Sequence, residues 1–306
     1  MRFIVGDVGG SNCRLAQYEN NELSQLWICP TFQSGGLKGA LKAYSEIYPG
    51  DYDAGCVAVA GPVTNNSATL TNVKWSGSAS DFTCPGSIIN DLEAAGHGVS
   101  MISEKDISCL QKAKSSSSRK VVIGMGTGHG LSWIFDDKVY ATESGHTEFV
   151  AASAEMNDFV EYFKKKNGRV RLEDVASGKG ISNLLEFAIL KYGGKGPEIG
   201  ENDGAFVLRN QDSHPACEAV IRWFSESCGS IVGDVILRSL ASEVWLCGGV
   251  SQRWGSVLDR QEFHTALYNK APMKHIIQSC GINIVMNQQL GLLGAAKVAG
   301  QLCELS

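Results

Sequence analysis

Apolar positions along the 306-residue chain form two kinds of pattern, short runs and runs at helical spacing. Phe3 to Val5 and Ala54 to Ala60 are short apolar runs, and the second is nearly unbroken, which is typical of a strand buried on both faces. Gly35 to Ile47 and His214 to Leu240 instead carry apolar residues at helical spacing. Because runs of both kinds follow one another along the chain, the pattern predicts an α/β fold.

A glycine-rich turn follows the first predicted strand. Gly9 and Gly10 can adopt positive φ and lack a Cβ, so their backbone N–H groups can approach an anion closely. Ser11 and Asn12 add side-chain donors, and Asp7 ends the strand where the Mg²⁺ of a bound phosphate would lie. For a Gly-Gly pair alone, an ordinary tight turn with a solvated aspartate is the simpler interpretation.

A second hairpin of the same kind changes that interpretation. The run from Val121 to Ile123 leads into Gly126-Thr127-Gly128, and Leu131 to Trp133 predicts the returning strand. Two strands that each end in a glycine-rich turn with a hydroxyl side chain favour two anion-binding hairpins.

Polar side chains suited to a sugar stand at two other element boundaries. Asn90 and Asp91 follow the short strand Ser87 to Ile89 and precede a predicted helix, where either is a helix N-cap on pattern alone. A carboxylate at a helix N-terminus is also held ionised and can accept a hydrogen bond from a hydroxyl.

The tetrapeptide Glu143-Ser144-Gly145-His146 combines a carboxylate and an imidazole on one predicted turn. Gly145 permits a sharp bend, so Glu143 and His146 can contact adjacent hydroxyls of one sugar. A lone glutamate or histidine is more often structural, and the pairing favours a binding site.

In this order, the motifs resemble those of the bacterial glucokinase family, in the group that lacks a zinc-binding cysteine cluster. The resemblance extends from Gly6 to Gly294, which lies in a closing Gly-Leu-Leu-Gly segment. It implies an α/β fold of two actin-like, ribonuclease H-like domains with mixed sheets around an interdomain cleft. We expect a small domain of residues 1–102 plus 289–306 and a large domain of residues 103–288.

The resemblance implies ATP-dependent phosphorylation of glucose at its 6-hydroxyl, with ATP and Mg²⁺ as cofactors. Asp91 would be the catalytic base, and the sugar would be bound by Asn90, Asp91, Glu143, His146 and Glu173. Glu173 is assigned by the family segment alone, because an exposed glutamate that opens a helical turn explains its spacing equally well. The nucleotide side would comprise Gly6, Asp7, Gly9, Gly10, Ser11, Asn12, Gly126, Thr127, Gly128, Gly248 and Gly249. No side-chain metal site is expected.

The chain departs from the family pattern at two positions and shares a further segment with it. Ser144 replaces a glycine, with little effect expected unless the position needs positive φ. His129 replaces an aliphatic residue. It could contact a phosphate, but we expect its side chain to point outward from the hairpin. Thr71-Asn72 and Trp75 match a segment on the sugar side, although core packing explains Trp75 equally well.

Charge and cysteine placement exclude several other classes of protein. A net charge of −5 without a basic run argues against nucleic acid or an anionic membrane as partner. No apolar run reaches about 18 residues and Met1-Arg2 leads directly into a strand, so we expect a cytoplasmic protein. The 10 cysteines are scattered, with no pair at metal-ligand spacing, which argues against a disulfide scaffold or a metal site and indicates that most are small buried side chains. We also expect a homodimer that binds a small molecule.

Two alternatives remain open from the sequence. Within the enzyme class, the acceptor could be another hexose, or the donor could be polyphosphate or ADP. In a different class, the chain could be a sugar-responsive regulator that has lost turnover. The retained Asp91 and the lack of a helix-turn-helix segment before Met1 disfavour the regulator.

Overall fold

A computed structural model describes residues 1–70 and 73–304. Thr71 and Asn72, part of the segment matched to the sugar side, lie outside the described residues. The strands are β1 (Arg2–Val8), β2 (Asn12–Glu19), β3 (Glu22–Pro30), β4 (Ala54–Val59), β5 (Val63–Thr64), β6 (Ser67–Leu70), β7 (Trp75–Ser78), β8 (Gly86–Asn90), β9 (Ile107–Gln111), β10 (Lys120–Met125), β11 (His129–Phe135), β12 (Lys138–Thr142), β13 (Glu243–Cys247) and β14 (Gly281–Val285). The helices are α1 (Gly36–Ile47), α2 (Asp91–Gly98), α3 (Ala154–Asn167), α4 (Gly178–Tyr192), α5 (Asp203–Asn210), α6 (Pro215–Ser239), α7 (Gly249–Arg253), α8 (Gly255–Leu258), α9 (Gln261–Tyr268), α10 (Lys274–Ile277) and α11 (Leu290–Glu304).

Contacts divide the chain into two units. Unit 1 comprises residues 1–106, 137–141 and 287–306, and unit 2 comprises residues 107–136 and 142–286. Unit 1 therefore receives the C-terminal helix α11 as well as the N-terminal strands. None of the helices in the described ranges is long and apolar enough to cross a membrane.

The main sheet of unit 1 has the strand order β3-β2-β1-β4-β8. β1 pairs with β2 in antiparallel register, with Val8 opposite Cys13, and it pairs with β4 in parallel. All six residues of β4 are buried, as the unbroken apolar run predicts. One face of the sheet packs against α11, which contributes Leu292, Ala295 and Ala299 to the core.

The strands of unit 2 follow the order β11-β10-β13-β14-β9. The run β11-β10-β13-β14 matches β2-β1-β4-β8 of unit 1 in strand direction, whereas β9 is antiparallel to β14. β10 and β11 form the antiparallel hairpin, and β10 pairs in parallel with β13, which pairs in parallel with β14. The long helix α6 fills the core, with Trp223 and Phe224 fully buried. In each unit, a hairpin therefore lies beside a strand parallel to its first arm.

Candidate functional site

The tip of the first hairpin is open on the side of its glycines. Gly9 donates its N–H to the carbonyl of Asn12 at 2.9 Å, which closes the turn. A Cβ built on Gly9 would meet only the Asn12 oxygen at 3.9 Å, and one built on Gly10 would meet nothing within 4 Å. In the described ranges, neither glycine has positive φ. The glycines therefore provide open space above the backbone, and not the left-handed conformation that the sequence suggested.

Asp7 lies two residues before this tip, at the end of β1. One of its carboxylate oxygens is 3.8 Å from Nη1 of Arg14, and its side chain is 29% exposed. Burial raises the pKa of Asp7, while the Arg14 charge opposes that shift. A Cβ on Gly291 of α11 would lie 3.3 Å from the Asp7 carboxyl carbon, so this helix packs directly beneath the carboxylate. Gly6 sits within β1, where Leu15 and Val57 leave no room for a Cβ.

Asn90 and Asp91 stand at the junction of β8 and α2, as predicted, but only one of them is the N-cap. The Asn90 Oδ1 accepts the N–H groups of Leu92 at 2.8 Å and Glu93 at 3.3 Å, and its Nδ2 donates to the carbonyl of Gly61 at 3.1 Å. Asp91 is the first helical residue, and its Oδ1 lies 3.0 Å from the Leu92 N–H. The helix therefore begins without depending on the carboxylate of Asp91.

The tip of the second hairpin rests on the N-terminus of α4. Gly126 donates its N–H to the Gly128 carbonyl at 3.0 Å. The carbonyls of Gly126 and Thr127 accept the N–H groups of Gly178 at 2.8 Å and Lys179 at 3.4 Å. A Cβ on Gly126 would meet nothing within 4 Å, so this tip is also open.

The structure brings Glu143, His146 and Glu173 together. The His146 Nε2 is 3.7 Å from a Glu143 oxygen, and its Nδ1 is 3.6 Å from a Glu173 oxygen. Glu173 also lies beside the second hairpin, since a Cβ on Gly128 would be 3.4 Å from its Oε2. In unit 2, the two carboxylates and the imidazole are therefore grouped next to a glycine-rich tip.

Arg171 and Asp174 are additional members of this group that sequence reasoning did not assign. Nη1 of Arg171 lies 2.7 Å from Oε1 of Glu173 and 3.4 Å from Nδ1 of His146. Asp174 is 2% exposed and accepts Nε and Nη2 of Arg171 at 2.9 and 2.8 Å. Burial alone would raise the pKa of Asp174, but the Arg171 hydrogen bonds hold it below its usual value. The sequence feature that could have identified this pair is an arginine, Arg171, three positions before an aspartate, Asp174, that directly follows Glu173.

The prediction that His129 points outward is wrong. Its side chain is 8% exposed, because the loop that contains Ala176 covers the start of β11. The Nδ1 atom lies 3.0 Å from the Ala176 carbonyl, and burial lowers the pKa of the imidazole. The neutral ring therefore donates from Nδ1. Gly145 lies against the backbone carbonyl of His129, where any Cβ would collide, so close approach explains this glycine. Ser144 has no positive φ, and its hydroxyl contacts Thr142.

Gly248 and Gly249 join β13 to α7. Gly248 has φ of 93°, and a Cβ there would collide with the backbone of Met125, which leads into the second hairpin. Gly249 is the first residue of α7 and faces the Arg253 guanidinium. The fold therefore brings Gly248 against the end of β10, the strand that leads into Gly126.

Two cavities in unit 2 differ in their relation to these residues. A cavity of about 820 Å³ is lined by residues 150–155 and by side chains of α6 and α9, and its described lining includes none of the predicted site residues. A smaller cavity of about 400 Å³ is lined in part by His146, Arg171 and Asp174. Of these two cavities, the smaller one has a predicted sugar residue, His146, in its described lining.

The Glucokinase family model matches residues 4–302 of the chain. A curated glucokinase of Nostoc sp. is 27% identical over 339 aligned residues, which cover 98% of this chain and 99% of the relative. A crystal structure of glucokinase from an Antarctic psychrotroph superposes with a TM-score of 0.84 at 24% identity, covering 98% of this chain and 99% of that one. A ROK family glucokinase from Streptomyces griseus, solved in complex with glucose and AMPPNP, gives a TM-score of 0.70 at 19% identity, covering 98% and 100%.

These similarities extend over both units. The structural likeness confirms the predicted actin-like α/β fold. The match from residue 4 to residue 302 spans all the motifs on which the resemblance rested. The chain belongs to the glucokinase family.

Proposed function

We propose that this protein transfers the γ-phosphoryl group of ATP to the 6-hydroxyl of glucose, yielding ADP and glucose 6-phosphate. The main support is the grouping of Glu143, His146 and Glu173 beside the open second hairpin, where Glu173 lies 3.4 Å from a Cβ position of Gly128. A sugar-binding group adjacent to a phosphate-binding tip fits a sugar kinase. Membership of the glucokinase family supports the same substrate and reaction.

The nucleotide phosphates are assigned to the two hairpin tips. Gly9, Gly10 and Ser11 of the first hairpin and Gly126, Thr127 and Gly128 of the second would hold the phosphates, since a Cβ built on Gly9, Gly10 or Gly126 leaves open space around the backbone. The N–H groups of Gly9 and Gly126 close their own turns, so the remaining N–H groups of the tips and the hydroxyls of Ser11 and Thr127 are the donors assigned to the phosphates. Asn12 adds a side-chain donor, Gly6 keeps the first strand packed, and Gly248 and Gly249 are assigned to the adenosine. The AMPPNP in the Streptomyces griseus enzyme supports an adenine nucleotide as donor.

Mg²⁺ fits the chemistry of the first hairpin. Within the described ranges, no group of three or more His, Cys, Asp or Glu side chains could hold a metal ion. Mg²⁺ in kinases is commonly held by one or two carboxylates together with substrate phosphates, and Asp7 can supply such a carboxylate. When bound, the ion would neutralise charge on the β- and γ-phosphates.

The sugar is assigned to Asn90, Asp91, Glu143, His146 and Glu173. Carboxylates accept hydrogen bonds from sugar hydroxyls, and the imidazole of His146 offers two ring nitrogens for hydrogen bonds. Asp91 would accept the proton of the 6-hydroxyl as the oxygen forms its bond to phosphorus and the bond to ADP breaks. Its location at the N-terminus of α2 favours the ionised, proton-accepting state.

The family resemblance also supports a homodimer and a location in the cytoplasm. We assign the small domain to residues 1–102 plus 289–306 and the large domain to residues 103–288. Sedimentation equilibrium would measure the mass of the particle. A monomer mass across the micromolar range would contradict the homodimer without affecting the proposed reaction.

The decisive experiment is a coupled assay of ADP formation with ATP, Mg²⁺ and a panel of hexoses. We expect the highest kcat/KM with glucose. A higher value with another hexose would change the acceptor, and turnover only with polyphosphate or ADP would change the donor. Glucose binding without turnover under any of these conditions would instead identify a sugar-responsive regulator.

A further inference from the structure

The carbonyl groups of the first hairpin tip are bound by a residue from a different strand connection. Thr31 follows β3 and is 1% exposed. Its Oγ1 donates to the Gly9 carbonyl at 2.7 Å, and its backbone N–H donates to the Ser11 carbonyl at 3.0 Å. One buried residue therefore contacts both sides of the tip.

Thr31 is itself held in place. Its carbonyl accepts the N–H of Ser34 at 3.2 Å and the Ser34 hydroxyl at 2.8 Å, and Ser34 is 6% exposed. Thr31 is also β-branched, which restricts rotation of its side chain. The hydroxyl that reaches Gly9 thus has a fixed direction, set by a short 3-10 turn from Thr31 to Gln33.

This contact determines which backbone atoms the tip presents. In a planar trans peptide, the C=O and the following N–H point in opposite directions. Since the Gly9 carbonyl points toward Thr31, the N–H of Gly10 points away from it. The Ser11 carbonyl is likewise turned toward Thr31. Two oxygens that would repel a phosphate are therefore occupied by donors.

The second hairpin has the same arrangement with different donors. There the carbonyls of Gly126 and Thr127 accept the N–H groups of Gly178 and Lys179, at the N-terminus of α4. In both units, donors from outside the hairpin occupy tip carbonyls. Among the tip contacts of the described residues, the side-chain donor is the Thr31 hydroxyl at the first hairpin, and a substitution can remove it without altering the backbone.

We propose that Thr31 is a positioning residue for the nucleotide: its hydroxyl orients the Gly9 carbonyl so that the tip presents N–H groups to the phosphates. This inference rests on the proposed function of the first hairpin. Thr31 acts through the backbone of Gly9 and does not itself contact the nucleotide.

Two substitutions separate the hydrogen bond from packing. Thr31→Val keeps the volume and loses the hydroxyl, whereas Thr31→Ser keeps the hydroxyl and loses a methyl group. If Thr31 acts only by packing, Thr31→Val should impair nucleotide binding less than Thr31→Ser does. If it acts through the hydrogen bond to the Gly9 carbonyl, Thr31→Ser should impair nucleotide binding less. We expect Thr31→Val to raise the KM for ATP and the Kd for ADP about three- to tenfold, and Thr31→Ser to change them less than about twofold.

Glucose affinity and thermal unfolding provide the control readouts. We expect both variants to bind glucose within about twofold of wild type, as measured by intrinsic tryptophan fluorescence, and the serine variant to unfold at the lower temperature. If Thr31→Val does not fold, Thr31→Ala and Thr31→Ser form the next pair, since both lose side-chain volume and only serine retains the hydroxyl.

Three results would overturn the inference. They are an unchanged ADP affinity in the valine variant, a serine variant as impaired as the valine variant, and an equal loss of glucose and ADP affinity. If the wild-type protein phosphorylates glucose and Thr31→Val has the same kinetics, only the role of Thr31 is rejected. A wild-type protein that does not bind ADP would reject the proposed function, and this inference with it.

Discussion

Nη1 of Arg171 lies 2.7 Å from the Glu173 carboxylate, while the rest of the guanidinium is fixed by the buried Asp174. The bidentate contact with Asp174 sets the plane of the guanidinium, and that plane sets the position of Glu173. A carboxylate assigned to the sugar is thereby oriented by a pair of residues that the sugar need not touch.

Arg171→Lys tests this relationship. A lysine keeps the charge but cannot form the planar two-point contact, so Glu173 would lose its fixed orientation. We expect the KM for glucose to rise by about tenfold, with the KM for ATP within about twofold. Steady-state kinetics would measure both constants. Lys165→Met, an exposed change on the neighbouring α3, is the control, and a lysine variant with the glucose KM of that control would contradict the role of Arg171.

Asp91→Asn tests the catalytic base. Asparagine keeps the size and an oxygen acceptor but cannot take the proton of the hydroxyl. Since Asn90 is the N-cap, α2 should remain intact. Loss of a positioned base lowers the rate by about 10²–10⁴, so kcat should fall at least a hundredfold. Glucose affinity should move by less than about tenfold, the pattern of a contact made mainly in the transition state. Retention of more than about a tenth of wild-type kcat would require another proton acceptor.

Gly126→Val tests the second hairpin. In the free protein a Cβ at Gly126 meets nothing within 4 Å, and its φ is not positive, so the variant should fold with little loss of stability. A bound phosphate would meet the branched side chain, and we expect the KM for ATP to rise at least tenfold. Thermal unfolding is the control measurement. A folded variant with wild-type kinetics would show that this hairpin is only a turn.

His97 predicts a pH dependence of stability. It is 8% exposed on α2, and burial, with a smaller contribution from Lys297, lowers its pKa from 6.5 to about 4. The unfolded chain therefore takes up a proton that the folded chain does not, once the pH falls below about 6.5. The contribution of His97 to the free energy of unfolding is therefore fully present above pH 6.5. It declines as the pH falls toward 4, by roughly 3 kcal/mol in total.

His97→Leu isolates this contribution in urea titrations at pH 7 and pH 4.5. The difference in unfolding free energy between the two pH values should be smaller in the variant than in wild type. His275→Leu, at an exposed position, should leave that difference unchanged. Equal pH dependence in wild type and His97→Leu would assign the acid sensitivity to other groups.

Hydrophobic patterns in the sequence correctly predicted individual helices and strands. The helix expected from Gly35 to Ile47 spans Gly36–Ile47, and the apolar run from Ala54 is the buried strand β4. The helical pattern between His214 and Leu240 is observed as Pro215–Ser239. In each case the periodicity and the flanking glycine or proline carry the information.

Contacts between segments far apart in the sequence could not be predicted from local sequence patterns. His129 is buried because a carbonyl 47 residues later covers it, and no pattern around the hairpin indicates that loop. Gly145 was interpreted as a bend, yet it is required by close approach to His129. Motif order therefore identified the candidate sugar residues, while the residues that hold them in place, Arg171 and Asp174, required the structure.

The return of α11 to unit 1 has a consequence for the order in which the chain folds during synthesis. Leu292, Ala295 and Ala299 complete the core that β1 begins, almost three hundred residues earlier. In the described residues, the buried cluster that forms the main core of unit 2 runs from Val121 to Ile284, so it has been synthesised before α11. Unit 2 can thus form its core on the ribosome first, whereas the core of unit 1 cannot be completed until α11 has been synthesised. The hairpin that opens the sequence is then among the last parts of the protein to mature.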